Sequence, residues 1–430
     1  MSNLSTLING LYTMSNEIGI LYHIVKLPRL NNDPKQVNYG IWPSNTLYLS
    51  GEKYGGRSAG CGDNWEEAML GTIGETLERY APAFYNLKDS IFSSFENLNK
   101  SAVSPKEFAL FHEKQYEDER FKIEKFTEDI ELTWFSTTDL TNGRETLLPG
   151  QFIYLPFNHD KHFVTANTST GLAAHTNYYK AILTALYEAI ERDSFVITWM
   201  QEIVSEKIII DTEIQTFLDT KFPTKYEWHF FDITYDIDVP TVLGFCIGEA
   251  EYGRFIAVGS SSRQTFGEAT KKVIQEIGQG IPYFRYLLGE KKNWIPDDDF
   301  SKIHSFEEHS IYYTKRPDLW HVFDKWLTAK PSKSINFNES FKRNEKEEIR
   351  HIIKILKDKN YNVLFKDITT PDIRQLGFYS IKVFIPQLLQ LAGAYPFYFL
   401  GGNRLFEVPK QMGYYSRDYD NLNKYPHPFP

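Results

Sequence analysis

The chain has 430 residues, of which 42% are hydrophobic and 16% aromatic, so it is too rich in core-forming residues to be a disordered protein. Its 47 Lys and Arg residues are outnumbered by 56 Asp and Glu residues, and the net charge of -9 argues against a general nucleic-acid-binding protein. Two cysteines exclude a disulfide framework and a four-thiolate zinc site.

The predicted elements alternate between helices and strands along the chain. Residues 1–50 contain short extended segments, and a glycine-rich loop follows them. Apolar spacing predicts helices over about 65–80, 177–201, 266–280 and 344–359. Strands are predicted in WHFFDIT, TVLGFCIGEA, FIAVGSS, NVLFKDIT and FYSIKVFIP. Because no clear linker separates these elements, we expect one large α/β domain of mixed α+β character.

No apolar run reaches the roughly 20 residues that a membrane-spanning helix needs. The N-terminal residues also lack the positive charges and apolar core of a secretion signal. We therefore expect a cytoplasmic protein that does not enter a membrane.

Two glutamates share one face of the first predicted helix. Glu75 and Glu78 are three residues apart, and Arg79 follows them directly. Gly71 and Gly74 lie one turn earlier on the same side, where each glycine costs about 1 kcal/mol of helix stability relative to alanine. This cost is understandable if a ligand must come close to the helix surface.

The second predicted helix repeats this pattern. Glu188 and Glu191 are again three residues apart, and Arg192 follows them. The third helix carries a variant, with Glu276 and Gln279 at the same spacing. The repetition suggests an internal duplication or two equivalent half-sites.

These pairs allow two interpretations. A single pair of this kind usually belongs to a solvated helix face with surface salt bridges. Three such helices, each preceded by a small-residue turn, could instead form an acidic pocket in which the carboxylates repel one another without a cation. Carboxylate and amide oxygens suit Mg²⁺, which commonly binds substrate phosphates as well, and the adjoining arginines suit those phosphates. The residues therefore predict a Mg²⁺–nucleotide site, although the P-loop and dinucleotide-binding glycine motifs are absent.

Three segments in this order resemble the signature segments of the YcaO superfamily: SAGCGDNWEEAMLGTIGETLERYA, TSTGLAAHTNYYKAILTALYEAIERD and GSSSRQTFGEATKKVIQEIGQG. The chain also ends in PHPFP, which resembles the PxPxP terminus of azoline-forming cyclodehydratases, the D proteins of thiazole/oxazole-modified peptide biosynthesis. The resemblance implies a single large YcaO-type domain of internally repeated helix/sheet units around a nucleotide site. This domain would span residues 51–430, and residues 1–50 would form an N-terminal extended segment packed on it.

The resemblance also implies an activity and its site. Such enzymes use ATP and Mg²⁺ to convert Cys, Ser or Thr of a ribosomal precursor peptide to thiazoline or oxazoline, by phosphorylating the backbone amide oxygen and releasing ADP and phosphate. The implied Mg²⁺ ligands are Glu75, Glu78, Glu188 and Glu191. The implied ATP-binding residues are Arg79, Arg192, Glu276, Gln279, Lys382 and Ser58.

The Pro-rich tail, residues 426–430, is expected to reach into the active site. The catalytic residues implied there are Pro426, His427, Pro428 and Pro430. Histidine is the residue type best suited to proton transfer near pH 7, and the terminal carboxylate is a second candidate for the base.

The resemblance finally implies partners. A separate leader-binding protein would present the precursor peptide, a flavin dehydrogenase could follow, and the chain would work as a homo-oligomer or in a hetero-complex. Two alternatives remain: a YcaO enzyme that forms a backbone thioamide or amidine, and a non-catalytic assembly subunit.

Overall fold

The computed structural model describes residues 3–15, 19–53, 56–98, 102–166, 168–223, 225–340 and 342–429. The helices are α1 (Asn3–Leu11), α2 (Leu47–Ser50), α3 (Trp65–Tyr80), α4 (Phe95–Leu98), α5 (Glu113–Tyr116), α6 (Gly150–Ile153), α7 (Tyr178–Gln201), α8 (Thr212–Lys221), α9 (Phe266–Glu290), α10 (Phe306–Lys315), α11 (Asp324–Leu327), α12 (Glu345–Asp358), α13 (Pro371–Gln375) and α14 (Arg404–Gln411). The strands are β1 (Leu21–Lys26), β2 (Val37–Pro43), β3 (Ser58–Gly62), β4 (Ser90–Ser94), β5 (Glu131–Asp139), β6 (Arg144–Pro149), β7 (Leu172–His175), β8 (Lys207–Ile208), β9 (Glu227–Asp232), β10 (Thr241–Ala250), β11 (Gly253–Ser262), β12 (Pro331–Lys333), β13 (Leu364–Asp367) and β14 (Tyr379–Phe384).

Within these residues the strands form three sheets. Their orders are β1-β2-β3, then β11-β10-β9-β8-β12, and finally β4-β5-β13-β14-β7 with β6 paired to β5. Helix α3 packs on β2, β3 and β7, α7 packs on β7, β11 and β14, and α9 packs on β10 and β11. This arrangement confirms the predicted mixed α/β fold in one domain. No helix of the described residues is long and apolar enough to cross a bilayer.

The two helices that carry the glutamate pairs have nearly the predicted bounds. Helix α3 begins after Asn64, whose side-chain oxygen accepts a hydrogen bond from the Glu67 amide at 3.0 Å. Ile73, Leu77 and Tyr80 of α3 are buried, so its apolar side faces the core as expected. Helix α7 begins one residue later than predicted, because Asn177 is its N-cap.

Helix α9 continues ten residues beyond the predicted end near residue 280, and it contains Pro282. A proline inside a helix costs about 3 kcal/mol. The apolar face of α9 nevertheless continues past the proline, since Ile281, Phe284 and Leu287 are all buried. Burying each of these side chains contributes roughly 1.5–3 kcal/mol, which outweighs the cost of the proline.

The N-terminal segment, predicted to be extended, is extended only in β1 and β2. Residues 3–11 form α1, and residues 47–50 form a helical turn in which Ser50 donates to the Thr46 carbonyl at 3.0 Å. Gly51 ends this turn with a φ of 81°, a conformation that glycine adopts easily. Strand β2 pairs with β3, so this segment shares a sheet with the glycine-rich region that follows it.

A buried ion network fixes the C-terminal half of α7. Arg404 binds Asp193 at 2.7 Å and Asp236 at 2.8 Å, and all three side chains are at least 90% buried. Asp193 also accepts a hydrogen bond from the Leu389 amide at 2.9 Å. Because Asp193 directly follows Arg192, this network fixes the backbone beside the second glutamate pair.

We expect Arg404→Met to lower the free energy of unfolding by about 3 kcal/mol or more, because it leaves the buried carboxylate of Asp193 without a cation, whereas Asp236 keeps Lys359 at 3.1 Å. Urea denaturation followed by circular dichroism measures this change. The control is Lys354→Met, which breaks an exposed ion pair with Asp358 and should cost less than about 1 kcal/mol. Equal losses in the two variants would contradict this role of Arg404.

Candidate active site

One cleft of about 1090 Å³ lies between α3, α7 and α9. Strands from all three sheets, β2, β3, β7 and β11, contribute to its walls. The structure brings most of the predicted site residues into this cleft: Ser58, Glu75, Glu78, Arg79, Glu188, Glu191, Arg192, Glu276 and Gln279. The three helices with paired polar residues therefore converge on one cavity.

The first glutamate pair is held by backbone and side-chain donors. Glu75 accepts a hydrogen bond from the Ala59 amide of β3 at 3.2 Å. The guanidinium of Arg79 lies 3.5 Å from the Glu78 carboxylate. The first pair is thus tied to the N-terminal sheet on one side and to an arginine on the other.

The second pair is held in an equivalent way. Glu188 accepts from the Gly171 amide at 2.8 Å, and Glu191 accepts from the Ser260 hydroxyl at 3.1 Å. The guanidinium of Arg192 lies 3.5 Å from the Glu188 carboxylate and 3.0 Å from the Glu191 carboxylate, so it forms ion pairs with both. The same kinds of support around both pairs agree with the repeat seen in the sequence.

Glycine is required at position 171, directly before β7. Its φ is 81°, and a Cβ atom there would lie 2.1 Å from the Val383 carbonyl oxygen. This close approach aims the Gly171 amide at Glu188. In contrast, a Cβ at Gly71 would meet nothing within 4 Å, and one at Gly74 would lie 3.7 Å from the nearest atom, so these two glycines leave open space along the cleft wall of α3.

Burial and repulsion from neighbouring carboxylates disfavour the charged forms of Glu75, Glu78 and Glu191. Burial raises the pKa of Glu78 to about 8, and Glu188 and Glu75 add to the rise while Arg79 opposes it. Burial raises the pKa of Glu191 to about 7, with Arg192 opposing and Glu276 adding. The pKa of Glu75 is raised for the same main reason. The two arginines therefore do not fully compensate the negative charge of the cleft.

This donor set fits Mg²⁺. Oxygen-only ligands and incompletely compensated negative charge both favour a hard divalent cation. Among the described residues, no three His, Cys, Asp or Glu side chains form a ready-made metal-binding group. Mg²⁺ in nucleotide sites typically takes one or two carboxylates and completes its shell with phosphate oxygens and water. The glutamate pairs thus suit a cation that arrives with a phosphorylated ligand.

Further residues of the cleft could contact such a ligand. Glu276 pairs with Lys272 at 3.2 Å, one turn away on α9. The hydroxyl of Ser58 is buried beside the cleft and, within the described part of the chain, makes no hydrogen bond. A buried polar group without a partner is costly, so a ligand atom at this position would be favourable.

Lys382 does not line the cleft but lies buried on β14. Its ammonium donates hydrogen bonds to the Thr170 carbonyl at 2.6 Å and the Thr168 carbonyl at 3.3 Å. Burial lowers the pKa of Lys382 to about 8, although Glu188 and Glu78 oppose this effect. These contacts support the loop that carries Gly171, and the phosphate contact implied for Lys382 stays a prediction.

The Pro-rich tail reaches the cleft through Phe429. The Phe429 ring lines the cleft, and its centroid lies 4.2 Å from the guanidinium carbon of Arg192. Pro426, His427 and Pro428 are buried behind it, and Pro430 lies outside the described residues. Burial lowers the pKa of His427 well below its ordinary value, so the imidazole is uncharged near pH 7. The ordinary pKa on which its predicted role in proton transfer rested does not apply in this environment.

Several cleft residues had no individual role in the sequence analysis, among them Phe429, Lys272, Arg263 and Arg57. Phe429 lies in the tail that was expected to reach the site, but its contact with Arg192 was not predicted. Lys272 is four residues before Glu276, a spacing that could have revealed the pair. Arg263 lies close enough to Glu191 to oppose the rise in its pKa. Arg57 lies 5.5 Å from the ring centroid of Trp42, a contact between distant residues that the sequence pattern did not indicate.

Comparison with solved structures gives the fold. A heterocyclase in complex with substrate and cofactor shares 18% identity and a TM-score of 0.75, covering 100% of this chain and 57% of its own. YcaO from Methanopyrus kandleri, bound with AMPPCP and Mg²⁺, shares 13% identity and a TM-score of 0.62, covering 91% of this chain and 92% of its own. The E. coli microcin synthetase McbBCD complex contains a chain with 18% identity and a TM-score of 0.57, covering 85% of this chain and 88% of its own.

The present chain thus spans little more than half of the first of these proteins. No curated protein sequence matches significantly. Residues 59–389, which include both glutamate pairs, match the profile of a family described as YcaO cyclodehydratase, ATP- and Mg²⁺-binding. The chain therefore belongs to the YcaO family, whose cofactors, ATP and Mg²⁺, suit the donor set of the cleft.

Proposed function

We propose that the chain is the ATP-dependent cyclodehydratase subunit of a complex that converts Cys, Ser or Thr residues of a ribosomal precursor peptide to thiazoline or oxazoline. The observation that carries this proposal is the convergence of both glutamate pairs, their arginines and Phe429 of the Pro-rich tail on one cleft. The cleft, at about 1090 Å³, lies at the upper end of the roughly 300–1,000 Å³ typical of small-ligand pockets, a size that suits a nucleotide.

The reaction needs activation because hydroxide is a poor leaving group. The side-chain thiol or hydroxyl gives its proton to a base and attacks the preceding backbone carbonyl carbon; the new ring bond forms as the C=O π electrons move to the oxygen. The former carbonyl oxygen then takes the γ-phosphoryl group of ATP, and ADP is released. The C–O bond breaks as phosphate leaves, and loss of the amide proton completes the C=N double bond. Each ring therefore costs the peptide one water molecule.

The residues of the cleft have distinct tasks in this scheme. Mg²⁺, held by Glu75, Glu78, Glu188 and Glu191, would neutralise the phosphates during transfer. Arg79 and Arg192 would orient the carboxylates and contact phosphate oxygens. Ser58, Glu276, Gln279 and Lys382 would complete the nucleotide site, with Lys382 acting through the loop that its ammonium supports.

The tail would supply proton transfer beside the reacting amide. Its last described residue, Phe429, lines the cleft. The terminal carboxylate implied by the family resemblance remains the candidate base, because the His427 ring does not line the cleft and bonds the Ala392 carbonyl through Nε2.

A separate leader-binding protein would present the precursor peptide. The support is that McbBCD is described as a complex and that the heterocyclase with substrate has a much longer chain. A flavin dehydrogenase would follow where the rings are aromatised, and the chain would work in a hetero-complex or as a homo-oligomer. We place the reaction in the cytoplasm, where ATP and newly made peptides are available.

The alternatives give different outcomes in one experiment. The enzyme, ATP, Mg²⁺, the candidate leader-binding protein and a precursor peptide encoded beside it are incubated, and ADP and peptide mass are both measured. Cyclodehydration predicts ADP release coupled to the loss of one water per ring. Formation of a thioamide predicts ATP consumption with replacement of the amide oxygen by sulfur, and therefore no coupled water loss. Formation of an amidine also removes one water, but its nucleophile is an amine, so tandem mass spectrometry would place the modification away from Cys, Ser and Thr. An assembly subunit predicts no ATP consumption.

We expect Glu78→Gln to reduce ADP release and ring formation by about a hundredfold or more, because it removes a charged Mg²⁺ ligand from a buried site. Chelation of Mg²⁺ by EDTA should have the same effect on the unmodified protein. Glu66→Gln is the matched control, since Glu66 lies on the same helix outside the cleft lining. Comparable turnover in the Glu78 and Glu66 variants would contradict the proposed metal site.

Deletion of Phe429 and Pro430 should reduce the turnover number by about a hundredfold and leave the affinity for Mg²⁺–AMPPCP within about threefold. The reason is that the proposed nucleotide contacts lie on α3, α7, α9, β3 and β14, whereas the removed residues would serve proton transfer. Kinetics and isothermal titration calorimetry measure the two quantities separately. Full activity of the folded, truncated protein would show that the tail has no catalytic role.

A further inference from the structure

Side-chain donors hold the tail at three consecutive backbone carbonyls. The carbonyls of Tyr425, Pro426 and His427 accept hydrogen bonds from Trp199 at 3.0 Å, Tyr313 at 2.7 Å and His309 at 2.8 Å. All three donors are buried aromatic or imidazole rings. Two of them belong to α10, which lies more than one hundred residues before the tail in the sequence.

The composition of the tail explains why donors from elsewhere are needed. Proline has no backbone N–H, so a segment with proline at every second position cannot form the ladder of a sheet or the bonds of a helix. Its carbonyls remain available as acceptors, and buried carbonyls need partners. The side chains of α10 therefore fix the direction of the tail, a task that the tail's own backbone cannot perform.

The anchored segment ends two residues before Phe429. The Phe429 ring packs against Arg192 at 4.2 Å and against Phe195 at 4.9 Å. Arg192 in turn lies beside both glutamates of the second pair. A continuous set of contacts thus joins α10, through the tail, to the carboxylates of α7.

The imidazole pair at the anchor is consistent with a fixed tail. The rings of His309 and His427 stack with centroids 3.8 Å apart and planes inclined by only 2°. His309 donates from Nδ1 to the His427 carbonyl, while His427 bonds the Ala392 carbonyl through Nε2. Burial lowers the pKa of His309 to about 3, so both rings are uncharged near neutral pH and can stack without repulsion.

We propose that Tyr313 and His309 are positioning residues, which set the place of Phe429 on Arg192 by holding the carbonyls of Pro426 and His427. Neither side chain lines the cleft, so both act through the tail. The catalytic part of this inference rests on the proposed function, whereas the anchoring part does not.

The chain offers a matched pair of variants on α10. Tyr313→Phe removes only the hydroxyl that bonds Pro426 and keeps the buried ring. Tyr312→Phe removes the hydroxyl of the neighbouring buried ring, which makes no hydrogen bond to the described residues. The two substitutions are chemically identical, and they differ only in whether the tail loses a donor.

The anchoring test uses the isolated protein and needs no activity. Hydrogen exchange of the C-terminal peptide, followed by mass spectrometry, should be about tenfold faster in Tyr313→Phe than in the unmodified protein. Tyr312→Phe should exchange at the unmodified rate. Equal exchange in the two variants overturns the proposal.

The catalytic test is a double-mutant cycle with Phe429→Ala, using the precursor-peptide assay described above. Tyr313→Phe should lower the turnover number about tenfold with the KM for ATP unchanged, and it should have no further effect when Phe429 is already replaced. The proposal is overturned if the double variant shows the product of the two single-variant reductions in turnover number. It is also overturned if Tyr313→Phe speeds tail exchange without lowering the turnover number. If the unmodified protein makes no rings, the proposed function fails, and the exchange measurement alone decides whether Tyr313 anchors the tail.

His309 is tested by conservative rescue. His309→Asn keeps a side-chain N–H near the position of Nδ1, whereas His309→Leu removes it. Tail exchange in the Asn variant should stay within about threefold of the unmodified rate, and the Leu variant should exceed it about tenfold. Equal exchange in both variants would assign the anchoring to packing alone and overturn the role of His309.

Discussion

The arrangement of the site depends on repulsion among carboxylates that the fold holds together away from water. Glu78 and Glu191 have raised pKa values because burial disfavours their charge and neighbouring glutamates add to the effect. A fold optimised only for stability would separate such groups or replace them by apolar residues. Their retention in one cleft is an unfavourable arrangement that a bound divalent cation would relieve, and this electrostatic cost is what supports the proposed metal site.

The surrounding elements act mainly to hold these carboxylates in place without neutralising them. Each of three glutamates, Glu75, Glu188 and Glu191, accepts a hydrogen bond from a different strand or loop. Hydrogen bonds of this kind fix the orientation of a carboxylate and leave its remaining lone pairs available. The buried network of Arg404 then fixes α7 one residue beyond Arg192. The site is therefore built on rigid helices and supported by contacts from all three sheets.

Local sequence patterns were sufficient for helices α3 and α7 and for the spacing of the glutamates that they carry. The spacing of Glu75 and Glu78, and the N-cap at Asn64, are properties of one helix and can be read from neighbouring residues. The predicted end of α9, near residue 280, was wrong. Pro282 is a local signal for helix termination, whereas burial of the apolar face beyond it depends on the rest of the molecule. The bonds of Lys382 could not be predicted for a similar reason, since they join β14 to a loop more than two hundred residues away.

The tail shows the same limit most clearly. Its prolines are visible in the sequence, and they indicate that the segment can form neither a helix nor a sheet strand. They do not indicate which groups replace the missing backbone bonds, because Tyr313 and His309 lie on a helix with no recognisable motif. The tail forms no secondary structure of its own, so the side chains that donate hydrogen bonds to its carbonyls determine its conformation. Since Phe429 contacts the arginine that both glutamates of α7 share, the anchored tail and this pair of carboxylates form one physical unit.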